Sequence, residues 1–122
     1  MIYHLLTTKE RNLYNMIEIS NKAQLDTLLA ENENVFVDFY AEWCGPCKMM
    51  LPLLDGLSKE EDNKHIVLCK VNVDTNAELT LEYGITSIPH MFLMKHGNKV
   101  HDFKGAQSKP KIVDMFKTYF SL

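Results

Sequence analysis

The chain has 122 residues, 46% hydrophobic and 24% charged, which is enough for one compact core and unlike a disordered or low-complexity polypeptide. No apolar run approaches the ~18 residues of a membrane span, so no membrane association is expected. Three cysteines, an odd and small number, argue against a secreted disulfide scaffold and for a reducing, cytoplasmic setting with one redox-active pair.

The formal charge of −3 is unevenly spread. Residues from 91 onward carry six lysines against two acids, while the first ninety carry seven Lys/Arg against fourteen acids. Such a split can orient a charged partner, or simply mark a solvated, lysine-rich helix and hairpin.

Residues 1–15 stand apart. Ile2-Tyr3-His4-Leu5-Leu6 is too short and polar for a signal-peptide core, and no basic segment precedes it. An organelle-targeting role is the alternative, although the segment lacks the Arg- and Ser-rich composition expected of one. These residues are expected to form a poorly ordered extension, with Met16 as an alternative start and residues 16–122 as a single domain. No repeat or Pro/Gly/Ser linker divides that domain.

Residues 16–20 read as a short strand. Ala23, Leu25, Leu28 and Leu29 recur at helical spacing behind a cap at Asn21, and this helix stops near Asn32. Residues 35–41 form a strand apolar on both faces, with Val35, Val37 and Phe39 on one side and Phe36 and Tyr40 on the other. A strand buried on both sides suits a central parallel position. Asp38 interrupts it, on the face of Phe36 and Tyr40.

Cys44-Gly45-Pro46-Cys47 follows directly. Two thiols two residues apart, in a turn opening a helix, can form a disulfide with little backbone movement. The next apolar positions, Met50, Leu51, Leu54 and Leu57, make a helical stripe. Pro46 fits its first turn, and Pro52 should kink it. Residues 65–73 alternate into a third strand, with Val67, Cys69, Val71 and Val73 on one face and Ile66, Leu68 and Lys70 on the other. A short helix over 76–83 ends at Gly84. The runs 91–94 and 99–103 form a hairpin through His96-Gly97-Asn98. Ser108 caps a last helix whose apolar face is Ile112, Val113, Phe116, Tyr119 and Phe120. The order β-α-β-α-β-α-β-β-α predicts an α/β fold: a central mixed sheet with helices on both faces.

The chemistry starts at Cys44. Unpaired N–H groups and the positive end of the helix dipole favour its thiolate. Cys44 is therefore the candidate nucleophile that forms a mixed disulfide. Cys47, one turn in and less exposed, is the resolving thiol that displaces the reduced substrate. Asp38 is the candidate proton acceptor and donor for Cys47, because burial would hold its carboxyl neutral at rest. Lys70, on the neighbouring strand, would tune it. Asp38 could instead only satisfy local backbone groups.

No metal site is expected. Structural zinc needs four ligands, and there is no second CxxC. His65 and Cys69 lie four residues apart on a strand, about 13 Å, too far to share an ion. Cys69 reads as a small core residue, with a regulatory thiol as the alternative. The lysine-rich C-terminal third lacks the interleaved aromatics of a nucleic-acid platform, so no direct nucleic-acid partner is expected. Ile88-Pro89 precedes an apolar strand, where X-Pro statistics alone favour a trans bond.

The segment Val37-Asp38-Phe39-Tyr40-Ala41-Glu42-Trp43-Cys44-Gly45-Pro46-Cys47-Lys48 resembles the active-site segment of the thioredoxin family. The likeness runs from about Met16 to Leu122. It takes in Pro52, Lys70, the turn Gly84-Ile85-Thr86-Ser87-Ile88-Pro89, Gly97 and Gly105. The resemblance implies a thioredoxin fold, a cis Pro89, and reduction of protein disulfides through a reversible Cys44–Cys47 disulfide with no bound cofactor. It implies recharging by a thioredoxin reductase that draws on NADPH, disulfide-containing client proteins as partners, and a monomer. Trp43, Gly45, Pro46, Ile88, Pro89 and Gly105 match positions that shape the family's substrate groove. Trp43 would shield the thiols, and Ile88 would offer its backbone to an extended substrate. The Gly-Pro pair between the cysteines resembles the reducing members. The alternatives are a specialised reductase or isomerase, or a binding subunit of another machine. Two residues depart from the pattern: Tyr40 where Trp is common, and His90 where Thr is common. His90 would either sit near the thiols and titrate near neutrality or point to solvent.

Overall fold

The computed structural model describes residues 16–121. The expectation of a poorly ordered extension falls on residues 1–15, outside that range.

Among the described residues, five strands and four α-helices alternate as expected: β1 (Ile17–Glu18), α1 (Lys22–Glu31), β2 (Asn34–Tyr40), α2 (Gly45–Ser58), β3 (Val67–Asn72), α3 (Ala77–Glu82), β4 (His90–Lys95), β5 (Asn98–Lys104) and α4 (Lys109–Tyr119). The short 3₁₀ turn Glu61–Asn63 is not expected from the sequence. There the Asn63 side-chain amide donates to the Leu57 carbonyl and closes the end of α2.

Local chemistry fixes the helix starts. The Asn21 side chain accepts from the Gln24 amide at α1, and Ser108 accepts from the Lys111 amide at α4. The β4–β5 turn places His96 and Gly97 at φ 51° and 77°, a left-handed pair that glycine adopts freely.

The sheet order is β1-β3-β2-β4-β5. β1, β3 and β2 run parallel, and β4 and β5 are antiparallel additions. β2 is central, and every one of its residues is buried. Its alternation divides the core into two layers. Phe36 faces Met50, Leu54, Leu57, Ile112 and Phe116, on the side of α2 and α4. Val35, Val37 and Phe39 face Leu25, Leu28 and Leu79, on the side of α1 and α3. Cys69 lies in the second layer, fully buried, as its core reading required. Burial pushes its thiol far above the ordinary range.

Candidate active site

β2 ends at Tyr40, and α2 begins at Gly45 with Cys44 as its N-cap. Four residues thus carry the chain from a buried strand to a helix tip at the C-terminal end of the parallel strands. Tyr40, Ala41, Cys44 and Cys47 form a small cluster there, with Leu51, Val73 and Ile88 packed against it.

Cys44 and Cys47 are joined as a disulfide, with Cα atoms 5.2 Å apart. The Cys47 amide donates to the Cys44 sulfur at 3.2 Å, the bond a capping side chain makes at a helix start. In the dithiol form the same N–H and the helix dipole favour charge on Cys44. Cys44 is 5% exposed and Cys47 is 0%, so the outer sulfur is the one an incoming group can reach.

Asp38 occupies β2 one turn of the pleat below this cluster, on the α2 side. It is fully buried, and neither carboxyl oxygen has a hydrogen-bond partner among the described residues. The alternative role of satisfying nearby backbone is therefore not what the geometry shows. Burial raises its pKa from 3.8 to about 7, and the Lys70 charge opposes that rise. Lys70 stands in register with Asp38 on β3. Its ammonium is turned elsewhere, 3.9 Å from Glu18 and 5.5 Å from the centre of the Tyr40 ring.

The residues matched to the family's groove come together from three places. Trp43, Gly45 and Pro46 are exposed around the cysteines. Ile88 packs on the cysteine cluster from the turn before β4. The Ile88–Pro89 bond is cis, as the resemblance implied and X-Pro statistics did not. The Gly105 amide donates to the Pro89 carbonyl at 2.9 Å, with Gly105 at φ 86°. A side chain would strain that backbone, so the end of β5 needs glycine to close on the turn. Trp43 is 70% exposed, and its indole N–H donates to Asp74 at 2.8 Å.

His90 is where the expectation fails in part. The solvent-directed alternative is wrong: the ring is buried, bonded through Nε2 to Asp102 at 2.7 Å and stacked on Phe92 at 4.3 Å. It also lies on the sheet face away from Asp38. Met91, opposite Asp38, joins the α2 layer, while His90, opposite Phe39, lies with Phe92 in the other. Strand alternation forces the two apart.

Three residues of this neighbourhood were not picked out from the sequence: Glu18, Asp74 and Asp102. Each is an acid brought in by strand register or by a turn, and spacing along the chain carries no signal for that. Among the described residues no group of three His, Cys, Asp or Glu could hold a metal ion.

Comparison with known proteins completes the assignment. The thioredoxin family model matches residues 16–118. A thioredoxin from Rickettsia typhi is 43% identical over 100 residues, covering 82% of this chain and 91% of that protein. A bifunctional thioredoxin reductase/thioredoxin from Mycobacterium leprae is 37% identical over 106 residues, 87% of this chain but 23% of that longer protein. Among solved structures, an N21Q mutant thioredoxin from Halobacterium salinarum superposes with a TM-score of 0.83 at 27% identity, covering 96% of both chains. With a family model spanning nearly every described residue, and a cysteine pair linked at the tip of α2, the chain belongs to the thioredoxin family and is a thiol–disulfide oxidoreductase that reduces protein disulfides.

Proposed function

We propose that the chain is a cytoplasmic reductant of client-protein disulfides, working as a monomer and returned to its dithiol form by a thioredoxin reductase that draws on NADPH. The observation that carries the chemistry is the Cys44–Cys47 pair at the start of α2, with a buried carboxyl behind it. The fusion of a reductase to a thioredoxin in the Mycobacterium leprae relative supports the partner. The few, odd-numbered cysteines support the compartment.

The linked sulfurs at the tip of α2 and the buried carboxyl support a two-step exchange. The Cys44 thiolate attacks one sulfur of the client disulfide, and the other leaves as a thiolate that takes a proton. Asp38 accepts the Cys47 proton, directly or through a water, and the Cys47 thiolate attacks the Cys44 sulfur. The Cys44–client bond breaks, and the second client sulfur leaves and is protonated. The client gains two electrons and two protons, and the pair closes to the disulfide. The exposed Trp43, Gly45 and Pro46 beside the cysteines, with Ile88 packed on the cluster and Pro89 and Gly105 bonded next to it, support a groove where an extended client segment can meet backbone groups. Lys70 tunes the acidity of Asp38.

Insulin reduction by NADPH, a thioredoxin reductase and the full chain tests this. Catalytic turnover is expected from the parent and none from Cys44→Ser. Cys47→Ser should stall as a mixed disulfide on Cys44. No turnover from the parent, with full biological activity kept by a double Cys44→Ser, Cys47→Ser variant, would refute the reading and favour a binding module.

A further inference from the structure

Glu18, Lys70 and Asp38 stand in one row across three parallel strands. β1 sets Glu18 against Lys70, and β2 sets Asp38 against the same Lys70. Partners in parallel register project to one face of the sheet. Lys70 therefore has a carboxyl group on either side, and it does not share itself evenly. Its ammonium is 3.9 Å from Glu18, whereas Asp38 has no hydrogen-bond partner among the described residues. The Tyr40 hydroxyl donates to Glu18 at 2.6 Å, and the Tyr40 ring lies under the Lys70 ammonium at 5.5 Å. Tyr40 also packs with both cysteines. One aromatic residue thus joins the Glu18–Lys70 pair to the redox centre.

We propose that Glu18, fixed by the Tyr40 hydroxyl, is a positioning residue for the resolving step: it draws the Lys70 ammonium toward the β1 edge and so leaves Asp38 basic enough to take the Cys47 proton. The proposal rests on the role of Asp38 as that base. A carboxylate beside a free ammonium is a weak base, and a catalytic base works best when its pKa lies near the operating pH. Asp38, at about 7, meets that condition with Lys70 opposing it only in part.

Few other charged groups enter the row. α2 brings Cys47 to this face, and its Asp55 accepts from the Met16 amide. β4 places Met91, without charge, opposite Asp38. Glu42 and Asn72 act on Tyr40, and Cys69 couples to Asp38 from the opposite face.

Glu18→Gln tests the idea, because the amide oxygen still accepts from Tyr40 and only the charge is lost. Asp38 is followed by carboxyl ¹³C NMR in the oxidised full chain, alone and with Lys70→Met. Glu18→Gln should lower the Asp38 midpoint by about half a pH unit or more, within the range an approaching ammonium produces. With Lys70→Met the same substitution should move it far less, a coupling only a double-mutant cycle reveals. The pH profile of client release from Cys44 should move with the midpoint. An unmoved midpoint overturns the proposal. So does a shift of equal size without Lys70, which would mean that Glu18 acts on Asp38 through space. If the midpoint moves but Asp38→Asn leaves the release profile unchanged, Lys70 is steered and the catalytic part of the proposal falls with the base assignment alone.

Discussion

Replacing Asp38 by asparagine should stabilise the oxidised protein at neutral and alkaline pH and have little pH-dependent effect in acid. The carboxyl titrates at about 7 in the folded chain against an ordinary 3.8, because burial penalises its charged form. Between those values the folded state holds a proton that the unfolded chain has released. The contribution of Asp38 is therefore least harmful below about pH 4, worsens as pH rises, and levels off above about pH 7. A gap of about three pH units at ~1.4 kcal/mol each amounts to roughly 4 kcal/mol. Asparagine is isosteric and neutral throughout, so it removes this dependence and leaves only a constant offset from its own unpaired amide. Guanidinium unfolding of parent and Asp38→Asn at several pH values gives the difference directly. It should open by roughly 1.4 kcal/mol per pH unit between about pH 4 and 7. A difference that stays constant over that interval would refute the buried, neutral carboxyl.

Two further outcomes are expected. His90→Thr removes the bond to Asp102 and the stack on Phe92, and should destabilise by about 1–3 kcal/mol while leaving the disulfide reduction potential within about 10 mV. That stability difference should shrink in acid, since the His90 bond holds Asp102 below the usual carboxylate range and is weakened as Asp102 takes a proton. A potential displaced by about 30 mV, a tenfold change in equilibrium, would contradict the placement of His90 on the far face of the sheet. In the reduced native protein at neutral pH, iodoacetamide should modify Cys44 rapidly and Cys69 only after unfolding, because Cys69 is buried and its thiol is pushed upward. Equal rates at the two thiols, read by peptide mass analysis, would refute both the activation of the first and the shielding of the second.

The fold was legible because local signals agreed with the global packing. β2 announced itself by being apolar on both faces, α2 by the cysteine turn and the stripe from Met50 to Leu57, and the hairpin by His96-Gly97. Asp38 was legible for the opposite reason, as a carboxylate where none should be. The acids around the site were not. Glu18 meets Lys70 through strand register, Asp102 is paired opposite Phe92 and reaches His90 through its side chain, and Asp74 reaches Trp43 from a turn. Those pairings are set by how strands align, and the chain between them leaves no trace of it. The same holds for His90: its chemistry could be read from its type, but its side of the sheet follows from pairing opposite Phe39.

Among the described residues, the two margins of the sheet offer little to a stray strand. On one side β1 is only two residues long. On the other, β5 carries Lys99 and Lys104, and its pairing with β4 is irregular between Leu93 and Met94. Short, charged or bulged margins resist lateral addition of a foreign chain. Both flanks are thereby poor templates for lateral pairing and for growth into fibrils.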